Sequence, residues 1–382
     1  MIRSVADLFH PHDPALVEAA MRERRLLHLR GDRADAFARL LPWERFNTLP
    51  NAQRLLDSEL RVTQRSREIP FQVAVPQTRH HLPRPLRAEA LHSLCDQGVS
   101  LVLNEVEAHV PAIAALNAML ERHFGAVVAT NCYVSFQRES AFPVHFDGHD
   151  VLVLQLHGSK RWFFRGQPYR YPLANSRFPV PEEPGPAETE MEMAPGDMLF
   201  IPRGELHWAE VAGATSMHLS IGLHFPRGRN LLGWLGSLSD AEQIAREDLT
   251  RLEGPEAQAA REQALREMLH RLADTLDLGA FYAETDRARE AMRPLNLGHL
   301  QDLAPDTLVL ASLRRRVPVP ADGRLELPSG PVTLTAGERA ALELLLDRDG
   351  WTVETLEAAL PDAREAVSGL ARKALVFLFP PD

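Results

Sequence analysis

Cysteine is nearly missing from this chain, with two residues in 382, Cys95 and Cys132. So few, with no CxxC spacing, build neither a disulfide framework nor a thiolate metal or redox motif, and a reducing, cytoplasmic setting is expected. Long apolar runs are absent too. None reaches the roughly 18 residues of a membrane span, and the opening MIRSVADLFHPHDPALVEAA has no unbroken apolar stretch, so neither membrane nor secretion is expected. Positive charge is in deficit, 42 Lys+Arg against 52 Asp+Glu, for a formal net charge of −10. Binding to a phosphate backbone needs clustered cations, so nucleic acid is not an expected partner.

What is present is globular: 45% hydrophobic and 25% charged residues. The length exceeds what one core usually serves, so two or three domains are expected. Residues 1 to about 130 mix helical and extended patterns: a helix over Pro14–Arg24, strands at Leu26–Leu29 and Val99–Leu103, and an amphipathic helix over Pro111–His123. From Val127 to Phe225 the texture becomes short β-rich runs (NCYVSF, HDVLVLQL, KRWFF, MEMAPGDMLFIP, SMHLSIGLHF) between Gly and Pro turns, the pattern of a small barrel or jelly roll. The intervening PLANSRFPVPEEPGPAETE is proline-rich and acidic, a surface loop.

After Arg229, PEAQAAREQALREMLHRLADTLDLG reads as a helix with Gly279 near its end and an apolar face of Leu265, Met268, Leu269, Leu272 and Leu276, suited to pairing helices. Residues from about 306 to 382 order as strands DTLVLASL and GRLELP followed by helices near Ala336–Leu346, Val353–Leu360 and Ala363–Leu375, which resembles a winged helix. With nine basic against twelve acidic residues over 305–382, this unit has no DNA footprint and reads as a protein-contact module.

Two imidazoles and one carboxylate on one side of a metal leave positions open for co-substrate and dioxygen. In VHFDGHD, strand alternation would send His145 and Asp147 to one side and Phe146 to the other. Of sixteen histidines, only His145 has an Asp two residues later. In PGDMLFIPRGELHW, one turn at Pro195–Asp197 and another at Pro202–Gly204 flank a strand and deliver His207. A lone His-x-Asp is as readily a surface pair; the β-rich setting and His207 favour a metal site. His149 and His218 are candidates to orient a ligand or touch substrate, against the plainer reading of polar or core histidines. His10, His12, His80, His81 and His157 are expected at the surface. Lys160 opens KRWFF on the face of Trp162 and Phe164, where it is either a solvated strand end or a fixed cation for a dicarboxylate co-substrate.

HFDGHDVLVLQLHGSKRWFF followed by PGDMLFIPRGELHW resembles the JmjC/cupin-type ribosomal oxygenases, iron(II)- and 2-oxoglutarate-dependent enzymes that hydroxylate protein side chains. The resemblance is specific over about residues 127–226. It implies an α+β fold with a double-stranded β-helix (jelly-roll, JmjC type) core, followed by a helical dimerisation domain and a winged-helix-like domain. The expected bounds are 1–228 for the catalytic domain, 229–304 for the helical one and 305–382 for the last. It further implies Fe(II) on His145, Asp147 and His207, 2-oxoglutarate on Lys160, and Asn131, Tyr133 and Ser220 lining the co-substrate or substrate pocket. A protein or peptide substrate and a homodimer are expected. One departure concerns substrate: Arg138 and Glu139 precede the metal pair, and no clear acidic clamp commits the pocket to arginine. The rival readings are a metal-binding cupin enzyme that is not an oxygenase, an idle binding module, and a 2-oxoglutarate oxygenase acting on a small molecule or peptide natural product.

Overall fold

Alternating apolar runs pair here as two facing antiparallel sheets. The computed structural model of the chain describes residues 1–50, 60–64, 67–69, 88–136, 142–173, 178–180, 185–299, 303–316 and 318–381. Arg138 and Glu139, and likewise His80 and His81, lie outside them. The strands are β1 (Leu27–Leu29), β2 (Leu60–Gln64), β3 (Arg67–Ile69), β4 (Ser100–Leu103), β5 (Val127–Ser135), β6 (Asp150–His157), β7 (Lys160–Phe164), β8 (Thr189–Met193), β9 (Met198–Ile201), β10 (His207–Val211) and β11 (Ser216–His224). Eight form a sheet in the order β1-β9-β6-β11-β5-β4-β2-β3, and three form a second in the order β10-β7-β8. Val151, Val153, Leu199 and Ile201 from the large sheet pack on Trp162, Phe164 and Met193 from the small one. Burying such a two-sided apolar layer is what holds the sheets face to face.

The turns follow their glycines. Gly196 (φ 96°) closes Ala194–Asp197, with Asp197 N donating to Ala194 O at 3.0 Å, and Gly204 (φ 90°) closes Pro202–Glu205 with a 3.1 Å bond. Gly158 (φ 62°) joins β6 to β7 where an added Cβ would lie 1.9 Å from Thr215 O, so only glycine fits. His157, expected at the surface, is half-buried instead, its Nε2 3.3 Å from Leu41 O. The helix Pro111–Phe124 starts on a proline and stops at Gly125 (φ 65°), as its sequence predicts.

Close contacts divide the chain into two units. Met1–His224, Ala291–Leu325 and Thr333–Asp382 form one; Phe225–Glu290 with Glu326–Val332 forms the other. Within the first, the C-terminal residues place helices Ala336–Asp347, Val353–Ala359 and Ala363–Arg372 beside a sheet of Trp351–Thr352, Leu308–Ala311 and Val376–Phe379. They dock on the helix Pro111–Phe124 through Arg122, whose guanidinium donates to Ala311 O (2.9 Å), Leu313 O (2.6 Å) and Asp349 (2.7 Å). Arg314 pairs with Glu121 beside it.

The second unit is helical: Gly228–Leu238, Pro255–Asp274 and Leu278–Arg287. Gly279 does not end the long helix. Asp277 accepts from Gly279 N and Ala280 N and so starts a new one, because an N-capping carboxylate outweighs a glycine two residues on. Of the five expected apolar-face residues, Met268 is buried, Leu265 and Leu272 are half-buried, and Leu269 and Leu276 are exposed. No helix among the described residues is long and apolar enough to cross a membrane.

Candidate metal centre

His145 and His207 meet across an isolated antiparallel bridge. His145 N donates to His207 O at 3.1 Å, and His207 N to His145 O at 2.8 Å. This corrects two expectations. His145–Asp147 is not a strand but a single bridged residue with irregular chain after it, and His207 is not on a turn but is the first residue of β10. Pro143, two residues before His145, has no N–H to donate to the ladder. Alternation survives locally, since Phe146 turns away from the two ligands onto Val144, Phe163, Leu206 and Trp208.

The ligand atoms of His145, Asp147 and His207 lie within 4.8 Å of one another, and among the described residues no other group of three or more His, Cys, Asp or Glu side chains converges in this way. Each imidazole is oriented from behind: His145 Nδ1 bonds Pro143 O and His207 Nδ1 bonds Glu205 O, both at 2.9 Å. Donating Nδ1–H to a carbonyl leaves the Nε2 lone pair of each ring for a metal. His207 Nε2 is 3.8 Å from an Asp147 oxygen. Burial and the adjacent His145 push His207 down to about 4 against the pull of Asp147, so the ring is neutral at physiological pH. Burial alone would raise Asp147, but the surrounding imidazoles of His207, His145, His149 and His224 hold it low and ionised. Two imidazoles with free Nε2 atoms and a carboxylate that lines a cavity fit a divalent first-row metal with vacant positions.

The inward rows of β5 and β11 floor the site. Tyr133 pairs with His218, Asn131 with Ser220 and Ala129 with Gly222, while β6 places Gln155 opposite His218. Toward solvent, Asp147, Asn131, Tyr133, His149 and Ser220 line one cavity of about 470 Å³. His224 and Glu105 line it too, and neither was singled out from sequence. His224 was legible, as the next inward residue of β11 after His218, Ser220 and Gly222; its ring stacks on His149 at 4.3 Å. Glu105 carries no local signal. It sits at φ 50°, donating its N–H to Asn131 Oδ1 at 3.1 Å, and supplies the cavity with the acid that the sequence did not reveal.

Lys160 and His218 lie deeper and do not line that cavity. Lys160 is 6% exposed, with Nζ 5.8 Å from the Trp162 ring centroid, and has no hydrogen-bond or ion-pair partner among the described residues. Burial drags its ammonium down to about 7. Burial first, then the Lys160 charge, holds His218 well below its usual value. Around it Trp162 Nε1, His218 Nδ1 and Gln155 Oε1 are buried without partners. Buried polar groups in this state are normally satisfied by a ligand or water, and a cation among them calls for an anion.

Residues 104–231 match the JmjC domain family. Ribosomal oxygenase 2 of Rattus norvegicus is 38% identical over 105 residues, 27% of this chain and 22% of that protein. The bifunctional lysine-specific demethylase and histidyl-hydroxylase NO66 of Aedes aegypti is 28% identical over 136 residues, 35% of this chain and 21% of that protein. These matches span little more than a fifth of the curated relatives' lengths. Over nearly its whole length the chain also shares its fold with the Escherichia coli ribosomal oxygenase YcfD: TM-score 0.56 at 17% identity, covering 99% of this chain and 100% of that one. A YcfD structure in complex with cobalt and 2-oxoglutarate gives 0.53 at 18% identity, over 96% and 97%. The match to the JmjC domain family, over 104–231, is wider than the 127–226 core that the motifs suggested.

Proposed function

We propose that the chain is an iron(II)- and 2-oxoglutarate-dependent oxygenase that hydroxylates an amino-acid side chain of a protein or peptide, with a ribosomal protein as the first candidate from the names of its relatives. The observation that carries this reading is the convergence of His145, Asp147 and His207 with both Nδ1 atoms already engaged. When bound, the metal with its keto-acid co-substrate would supply the oxidising power for an unactivated C–H bond. The chain's own part is to hold and to exclude. His145, Asp147 and His207 hold the metal on one side, and Lys160 pairs with the far carboxylate of 2-oxoglutarate. On the strand pair β7 and β10, Lys160 lies four positions from Phe164, the partner of His207. That is about 13 Å of backbone, which a lysine side chain and a five-carbon dicarboxylate can span. His218 and Trp162 Nε1 would complete that anion's contacts, and Val151, Val153 and Phe164 keep water away.

Asn131, Tyr133, Ser220, His149, His224 and Glu105 then face the substrate. The Glu105 carboxylate favours a side chain that brings hydrogen-bond donors. By role we divide the chain into 1–228 (catalysis), 229–304 (helical, dimer-forming) and 305–382 (a winged-helix-like protein contact), acting in the cytoplasm. Exposed Leu232, Leu269, Leu276 and Tyr282 on the helical unit support a homodimer, which size measurement in solution tests.

The activity is tested by measuring succinate release and oxygen uptake with Fe(II) and 2-oxoglutarate, in wild type and in His145→Ala. Coupled succinate and oxygen signals that the variant lacks are expected, together with the gain of one oxygen atom by a cellular protein in mass spectrometry. A wild-type protein that binds metal but releases no succinate in air would instead be a cupin of another chemistry.

A further inference from the structure

Against the acidic balance of the chain, one concavity on the first unit is cationic. The helix Ala15–Glu23 ends in Arg24 at φ 56°, and Tyr171 across from it sits at φ 52°. Arg24 is the left-handed C-cap of that helix, its N–H donating to Ala20 O and Met21 O. Arg24 is fixed in place: Nη1 donates to both Asp150 oxygens at 2.7 and 2.9 Å, and Nη2 to Arg203 O at 3.0 Å. The Arg24 and Arg203 guanidiniums lie 5.4 and 5.0 Å from the Tyr171 ring centroid. Arg22, Arg170, Gln167 and Glu23 complete a cavity of about 400 Å³. Glu23 is taken by Arg25 at 2.5 Å, and among the described residues Arg22 has only Glu18 at 3.7 Å. Arg170 has no ion pair among the described residues. The balance in the cavity is positive in a chain of net charge −10.

Hydrogen bonds link the Arg24 end of this cavity to a metal ligand. Arg203 N donates to Asp150 at 2.7 Å, and the next residue, Gly204, donates its N–H to Asp147 O at 3.1 Å. Tyr169, on the segment that carries Arg170 and Tyr171, has its ring 6.1 Å from that of Phe146, the residue between two ligands. The segment Arg203–His207 thus runs from the Tyr171 side of the cavity to a metal ligand within five residues.

We infer that this cavity is a docking subsite for a carboxylate of the substrate polypeptide, an acidic residue flanking the one that reacts; this rests on the protein-or-peptide reading above. Arg24 is already held by Asp150 and Arg203 O, so it is the exposed guanidiniums of Arg22 and Arg170 that offer paired N–H donors to a planar oxyanion. A nucleic-acid backbone would instead need a long basic track, which the charge balance does not offer.

The test is the double variant Arg22→Gln/Arg170→Gln, two exposed positions that leave the Arg24–Asp150 tie intact. A labelled glutamate-rich peptide and a single-stranded RNA of equal charge are titrated into the full chain at low salt and followed by fluorescence anisotropy. The wild type should bind the peptide, the variant about tenfold more weakly, and added salt should shrink the difference. Succinate release without polypeptide should be equal in the two proteins. Equal peptide affinity in both, or a loss of RNA binding without a loss of peptide binding, overturns the proposal. Peptide binding that needs the two arginines supports it even if neither protein turns over 2-oxoglutarate, so the two readings fail separately.

Discussion

Lys160→Met should make the protein more stable and its co-substrate binding worse, a combination that a merely structural lysine would not give. Burial moves the ammonium from 10.5 to about 7. Across that drop the charged form is penalised by about 5 kcal/mol. Below about pH 7 folded and unfolded chains both carry the proton and the penalty acts in full. Between about 7 and 10.5 the unfolded chain binds the extra proton, so stability rises with pH until the penalty is gone. Methionine, of similar length and uncharged, removes it, and a gain of about 1 to 4 kcal/mol near neutral pH is expected in urea unfolding. In the same variant the distal carboxylate of 2-oxoglutarate is left buried and unpaired, which costs about 3 to 5 kcal/mol, or a few hundred- to several thousand-fold in affinity. Calorimetric titration of 2-oxoglutarate into metal-loaded protein measures this. In the wild type the affinity should fall by up to about tenfold per pH unit above about 7, because Lys160 must take up a proton before it can pair. Undiminished 2-oxoglutarate affinity in Lys160→Met refutes the anchor, whatever happens to stability.

Gly158→Ala should destabilise by more than about 2 kcal/mol, since the new Cβ meets Thr215 O at 1.9 Å on a left-handed backbone; an unchanged thermal midpoint would mean that the turn has another conformation. Arg122→Ala removes the buried guanidinium from Asp349 and two carbonyls, and a loss of about 3 to 5 kcal/mol is expected in chemical denaturation; a loss below about 1 kcal/mol would show that the C-terminal segment does not depend on this tie.

The parts of the site legible in sequence were those set by near neighbours. His145 and Asp147 are two residues apart, and Gly196 and Gly204 fix their turns by φ alone, so the residues around His207 could be read without knowing the sheet. What escaped needed pairing between distant segments. His207 looks like a turn residue because Pro202–Gly204 precede it, yet its ladder partner is His145, and only barrel closure reveals β10. Glu105 reaches the cavity because the Asn131 side chain accepts its N–H, a contact across 26 residues. Gly279 misled for the opposite reason: a strong local stop signal lost to a stronger start signal at Asp277. Lys160 could be placed on its face from the sequence, but whether a protein carboxylate meets it there is a tertiary fact.

That tertiary fact bears on the two readings of the lysine. Elsewhere in the same unit, cations withdrawn from water are matched: Arg24 by Asp150, Arg122 by Asp349 and two carbonyls, and Lys373 by Glu338. The fold therefore has ample means to neutralise a buried charge, and each such pair ties distant segments together. Among the described residues the Lys160 ammonium ties nothing. It stands among Trp162, His218 and Gln155, whose own polar atoms lack partners as well. A purely structural role would be served as well or better by an apolar residue there, because an unpaired buried ammonium only subtracts from stability. The arrangement would become favourable once an anion entered from the metal side, and under the proposed function the dicarboxylate co-substrate would supply that charge at the reach the strand geometry sets.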